Sequence, residues 1–121
     1  MNFHIKDDEI DAKTHVIELG GEIDLYTAPE FKERMAEIID EGKTRVVVDL
    51  SQATFIDSTT LGVLVGGVKR LRPSNGSLAL VCTDDNITKI FEITGLDRVF
   101  AIHATRDEAL AAAAPAGGRG D

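Results

Sequence analysis

Three hydroxyl side chains, Ser58, Thr59 and Thr60, stand in a row directly after Asp57, inside the stretch FIDSTTLGVLVGGVKRL. The residues before them are strand-like, and those after them repeat apolar side chains at helical spacing. The row therefore sits where a strand hands over to a helix. Two uses suit Ser58 in that place. Its oxygen can cap the free N–H groups of the helix start. Alternatively, its hydroxyl can carry a phosphoryl group, which the same N–H groups and the helix dipole favour and which adds about −1.5 to −2 charges to the surface. Nucleophilic catalysis fits poorly. Asp57 is a sequence neighbour and such neighbours rarely share a face, no histidine is placed to act as base, and the G-x-S-x-G elbow is missing.

A second patch, LGGEIDLYTAPEF, places Gly20-Gly21 at a strand end and Asp24 in the loop before another helix. Asp24 and Asp57 thus occupy equivalent positions. If their loops lie at one edge of a sheet, the two carboxylates flank Ser58; otherwise they are two solvated loop acids. The patch is no phosphate loop, since neither GxxxxGK[ST] nor GxGxxG occurs.

These residues need a scaffold, and the pattern supplies one. NFHIK and THVIELGG alternate as two strands of a hairpin. TAPEFKERMAEIIDEG reads as a helix with a Thr27/Glu30 capping box, Pro29 in its first turn, an apolar face of Phe31, Met35, Ile38 and Ile39, and Gly42 as its stop. TRVVVDL is a β-branched run suited to a strand buried on both faces. A helix follows from about Ser58 to Arg72, then the strand SLALVC, a short helix over DDNITKIFEITG, the strand RVFAI, and a closing helix begun by Thr105 and Glu108. Alternation of this kind implies right-handed βαβ crossovers. The expected fold is one α/β domain over residues 1–114, a mixed, mostly parallel sheet of four to five strands with about four helices. Residues 115–121 are expected to form a disordered tail.

At 100° per residue, Leu61, Leu64, Val65, Val68 and Leu71 gather on the side of the Ser58 helix that packs on the sheet. Thr59, Val63, Gly66, Gly67 and Arg70 gather on the other. Each glycine costs about 1 kcal/mol in a helix interior, so an outward face with two of them suits close approach by a partner. Gly62 and Gly66, four residues apart, also suit packing on the sheet.

Composition narrows the class further. The 121 residues are 43% hydrophobic and carry a net charge of −8. That length holds one core, and that charge argues against nucleic acid or an anionic membrane as partner. A basic protein surface, or solubility alone, accounts for it. No apolar run reaches the ~20 residues that span a bilayer, and no signal peptide is evident, so the expected location is the cytoplasm. The single cysteine, Cys82, reads as a buried thiol. His4, His15 and His103 form no metal-ligand spacing, and neither a metal nor a cofactor is expected.

The segments GEIDLYTAPEF and VVVDLSQATFIDSTTLGVLVG resemble the STAS family, specifically the stand-alone bacterial anti-sigma factor antagonists, and the resemblance covers roughly residues 3–112. It implies a STAS-like domain without enzyme activity. In that family the serine after the turn aspartate, here Ser58, is phosphorylated. The unphosphorylated protein binds an anti-sigma factor that is also a serine/threonine kinase, and so frees a sigma factor. Phosphorylation ends the binding and a PP2C-type phosphatase restores it. The resemblance makes Asp24 and Asp57 the acids bordering the phosphorylation loop. It also makes the helix from Ser58, with Thr59, Gly62, Val63, Gly66, Gly67 and Arg70, part of the partner surface. The chain departs from the family at Thr60, where glycine is usual, which leaves Thr59 and Thr60 as alternative phosphate acceptors. The alternative function is a STAS scaffold or a small-ligand or nucleotide-sensing module that is not phosphorylated.

Overall fold

The computed structural model describes residues 3–112; the tail expected over 115–121 lies outside them. Strands β1 (Phe3–Glu9) and β2 (Thr14–Ile23) form the hairpin. There follow α1 (Ala28–Asp40), β3 (Arg45–Ile56), α2 (Ser58–Leu71), β4 (Ser77–Val81), α3 (Asp85–Thr94), β5 (Ala101–His103) and α4 (Arg106–Ala112). The sheet runs in chain order β1-β2-β3-β4-β5, with β1 antiparallel and the other pairs parallel. This is the α/β architecture that the alternation predicts.

Every parallel step moves across the sheet in the same direction, so right-handed crossovers put α1, α2 and α3 on one face. The main core forms there, where Phe31 and Met35 of α1, Leu64 of α2 and Phe91 of α3 meet Leu19 and Val48 of the sheet. On the opposite face Ala109 of α4 packs against Val16, Val47, Ala79 and Val81. Beside that contact, Arg106 reaches Asp49 (3.1 Å), Asp8 (3.1 Å) and Glu18 (3.2 Å). The hairpin turn is tied down by Lys43, whose Nζ donates to the Asp11 carbonyl (2.9 Å) and to Glu9 (2.5 Å).

Local differences from expectation have physical causes. Gly20 and Gly21 do not end β2, which continues to Ile23 through register shifts in its pairing with β3. Gly21 has φ +80°, and a side chain on Gly20 would collide with the His4 ring, its Cβ lying 1.9 Å from Cε1. Thr27 precedes α1 but closes no capping box. Its hydroxyl is drawn into the preceding turn, accepting from the Asp24 N–H (2.9 Å) and donating to the Glu22 carbonyl (3.1 Å). At α4 the second box does form in part, Thr105 Oγ1 accepting from the Glu108 N–H at 3.1 Å. Strand β3 also outruns the apolar VVVDL. It pairs with β4 only as far as Asp49, yet stays paired with β2 to Ile56. Beyond β4 the sheet therefore narrows to β1, β2 and β3, and past Gly21, where the described β1 ends, β2 and β3 alone project as a short two-stranded ribbon.

The glycines of α2 divide. A Cβ on Gly66 would meet nothing within 4 Å, whereas one on Gly67 would lie 3.1 Å from Leu78 Cδ1 and 3.2 Å from Met35 Cε. The buried stripe of α2 is Thr60, Leu64, Gly67 and Leu71, with Val65 and Val68 half-buried beside it. Gly67 is thus corrected from the outward face to the packed one, because Met35 takes the room a side chain would occupy. Gly66→Ala should stabilise the protein by up to about 1 kcal/mol. Gly67→Val should destabilise it by about 1–3 kcal/mol through overpacking. Urea unfolding of the two variants checks the contrast.

Candidate functional site

The projecting ribbon carries the site. Ile23 and Ile56 are paired at its end, so the loop of Asp24 and the turn of Asp57 leave the sheet side by side. The structure brings these two loops to one edge, which their spacing alone left open.

Asp57, not Ser58, is the helix cap. Its backbone is extended (φ −125°, ψ −174°), and its carboxylate accepts from the N–H groups of Thr59 (3.0 Å) and Thr60 (3.3 Å) and from the Thr59 hydroxyl. Desolvation pushes this carboxyl upward. The Thr59 hydroxyl and the N–H groups of Thr60, Thr59 and Leu25 outweigh it, so the group lies below its ordinary value and stays ionised. Asp57→Ala should cost about 0.5–2 kcal/mol at neutral pH. A depressed carboxyl contributes stability above about pH 4, the ordinary aspartate value, and loses it as pH falls through the lowered value. The difference between the two proteins should therefore narrow in acid, as urea midpoints at pH 7 and pH 3 will show.

With the cap supplied by Asp57, Ser58 becomes the first residue of α2 and is exposed. Thr59 is exposed as well, its hydroxyl engaged by Asp57. Thr60 is fully buried, and its Oγ1 donates to the Ile23 carbonyl at 2.8 Å. Burial and this bond set Thr60 apart from Ser58 and Thr59, whose side chains are exposed. The same bond latches the start of α2 to the end of β2. Thr60→Val keeps the shape but removes this bond, at an expected cost of about 0.5–1.5 kcal/mol. Hydrogen exchange at the amides of the Asp24 loop should accelerate in the variant. Asp24 turns onto its own loop, accepting from Tyr26 N–H (2.9 Å) and Thr27 N–H (3.2 Å).

The two segments that leave the sheet at this edge carry three exposed apolar side chains that sequence reasoning missed, Leu25 (57% exposed) and Tyr26 (77%) in the Asp24 loop and Phe55 (49%) near the end of β3. Their signal was present. Leu25 and Tyr26 follow a loop acid, and Phe55 lies on β3 beyond the apolar VVVDL, next to Thr54 and close to Ser51 and Gln52. From Leu25 a groove of about 710 Å³ runs between α1 and α2, bordered by Gly62, Val63 and Gly66, with Met35 and Gly67 at its floor. Arg70 sits on its rim and pairs with Asp40 at 2.5 Å.

Among the described residues there is no cluster of three or more His, Cys, Asp or Glu able to hold a metal, and no helix is long and apolar enough to cross a membrane. Cys82 is a free, buried thiol that accepts from the Thr88 hydroxyl at 3.6 Å.

Comparison with known proteins agrees with this geometry. The sequence matches the STAS domain family model over residues 6–109. It is 38% identical over 110 residues to the anti-sigma-B factor antagonist of Listeria monocytogenes, covering 89% of this chain and 95% of that one. The crystal structure of an anti-sigma factor antagonist from Mycobacterium paratuberculosis superposes with a TM-score of 0.86 at 26% identity, covering 94% of this chain and 96% of that one. The Bacillus cell fate determinant SpoIIAA in its phosphorylated form shares the fold, with a TM-score of 0.71 at 24% identity and coverage of 90% and 96%. With its capped strand-to-helix turn at the tip of a β2–β3 ribbon, the chain belongs to the STAS-domain family of anti-sigma factor antagonists.

Proposed function

We propose that the chain binds a kinase-type anti-sigma factor while Ser58 is unmodified, freeing a sigma factor, and that phosphorylation of Ser58 ends the binding. In this reading the kinase is the anti-sigma factor itself, a PP2C-type phosphatase resets the switch, and the exchange takes place in the cytoplasm. The observation that carries the proposal is the division of labour at the turn. Asp57 does the capping, so the exposed Ser58 hydroxyl is available at a helix N-terminus where a phosphate is electrostatically tolerated. The exposed apolar side chains of Leu25, Tyr26 and Phe55, in the segments that meet at this edge, supply a surface that a partner can desolvate. SpoIIAA, which shares only the fold at this identity, has been solved in a phosphorylated form, so a domain of this shape accommodates the modification.

Intact-mass spectra of protein isolated from its host across growth conditions test the reading. A phosphoryl-sized increment that fragmentation maps to Ser58, and that Ser58→Ala removes, is the expected result. An increment that persists undiminished in Ser58→Ala places the site elsewhere. Its absence under every condition favours the second reading, a scaffold or ligand-sensing STAS module, for which the groove between α1 and α2 is the supporting observation.

A further inference from the structure

We infer that the groove between α1 and α2 receives a single amphipathic helix of the partner protein, apolar on the face it inserts and acidic along its flanks. The inference rests on the reading of the Ser58 end as a partner surface, and it names what the partner presents.

The shape favours a helix. Gly62 and Gly66 lie four residues apart on α2, and a Cβ at either would meet open space. From Thr59 to Arg70 this wall is about 16 Å long, roughly three turns of helix. An inserted helix brings its backbone hydrogen bonds already made. An extended segment would need main-chain partners, and both walls are helices whose own backbone bonds are spent internally. A lipid chain would remain half in water, since Lys32, Gly62, Lys69 and Arg70 along the groove are all exposed.

Charge selects the kind of helix. The chain carries −8 overall, yet the charged residues lining this groove are Lys32, Lys69 and Arg70. Arg70 is paired with Asp40, while Lys32 and Lys69 have no ion-pair partner among the described residues. Basic rim charges on an acidic protein steer an acidic partner into place and reject a basic one. The groove also continues to Leu25 and Thr59, beside Ser58. A phosphate on Ser58 would therefore set a dianion at the entrance of a groove selective for acidic helices, where it repels the occupant.

The test is an NMR titration of the ¹⁵N-labelled protein with three probes. These are a helical peptide about four turns long with a Leu/Ala face and Glu flanks, the same peptide with Lys for Glu, and oleate. The Glu peptide should shift the amides of Lys32, Gly62, Val63 and Gly66 saturably, and the Lys peptide should bind at least tenfold more weakly. Gly66→Leu, which fills the lane while favouring the helix, should weaken the Glu peptide tenfold or more. Lys32→Glu with Lys69→Glu should reverse the preference between the peptides. No saturable shift along the groove, equal affinity for both peptides, or a response to oleate alone each overturns the inference. A pull-down separates its failure from that of the proposed function. If Gly66→Leu recovers the anti-sigma factor as well as the unaltered protein does, the groove assignment falls and the partner assignment stands. If neither protein recovers an anti-sigma factor, the partner assignment falls, whatever the peptides show.

Discussion

Ser58→Asp should weaken binding to the anti-sigma factor by about a thousandfold, roughly 4 kcal/mol, and leave folding stability within about 0.5 kcal/mol of its original value. The two halves of this result come from the same geometry. In the free protein the residue is exposed at the first position of α2, with Asp57 already capping the helix. A negative group there faces the positive end of the helix dipole and keeps its water, so the fold has little reason to respond. In the proposed complex the partner covers this edge, with the exposed side chains of Leu25, Tyr26 and Phe55, and a charge at Ser58 would lose its hydration. An ion desolvated without a cationic partner costs several kcal/mol. A phosphate carries about twice the charge of aspartate and should act at least as strongly. Ser58→Ala should bind as the unmodified protein does and stay insensitive to kinase and ATP. Calorimetric titration of the three proteins with the anti-sigma factor, alongside urea unfolding, checks both halves. A loss of affinity matched by a loss of stability would show that the substitution acts through the fold instead of the interface.

Much of this site is legible in the sequence, and the residues show why. The strand-to-helix handover at Asp57-Ser58 is local, written in the change from a β-branched apolar run to apolar residues at helical spacing. The crossover rule then follows from the alternation of elements, and it makes Asp24 and Asp57 neighbours once β2 and β3 pair in parallel. What failed depends on contacts between distant residues. The burial of Gly67 is decided by Met35 on another helix, and a wheel for α2 alone cannot see which of its sides α1 will cover. The hydroxyl of Thr27 was expected to cap α1, but the Asp24 loop bends back to claim it. Thr60 reads as one of three candidate hydroxyls in a row, and nothing local shows the Ile23 carbonyl 2.8 Å away. Phe55 drew no reading from the sequence, and it is half exposed on the part of β3 that β4 does not reach.

The second large effect concerns the face away from the site. Arg106→Met should destabilise the protein by about 2–4 kcal/mol, most of which a second substitution, Asp49→Asn, should restore. Arg106 is the first residue of α4, and its guanidinium is shared among Asp8 of β1, Glu18 of β2 and Asp49 of β3. Burial disfavours its charge, but hydrogen bonds and attraction from Asp49 and Asp8 outweigh this and hold the group above its ordinary value, so it is charged at any working pH. The weight falls on Asp49, whose side chain is only 7% exposed, while those of Asp8 and Glu18 are 63% and 22% exposed. With Arg106 gone, Asp49 keeps one hydrogen bond, from the Ser51 N–H at 2.9 Å, and faces like charges with nothing to offset them. Breaking a buried pair from one side costs about 3–5 kcal/mol; the partial exposure of Arg106 lowers the expectation here. Asparagine at 49 removes the stranded charge, so the double variant should recover, and the coupling in a double-mutant cycle should exceed about 1 kcal/mol. Additive effects would instead mean that Arg106 acts mainly by packing its stem beneath α4. Glu18 and Asp49 are paired in the body of the same two strands, β2 and β3, that end in the ribbon, so the same cycle asks whether this clamp also steadies the strands that present Ser58. If it does, Arg106→Met should speed hydrogen exchange at Ile23 and Ile56, at the far end of those strands.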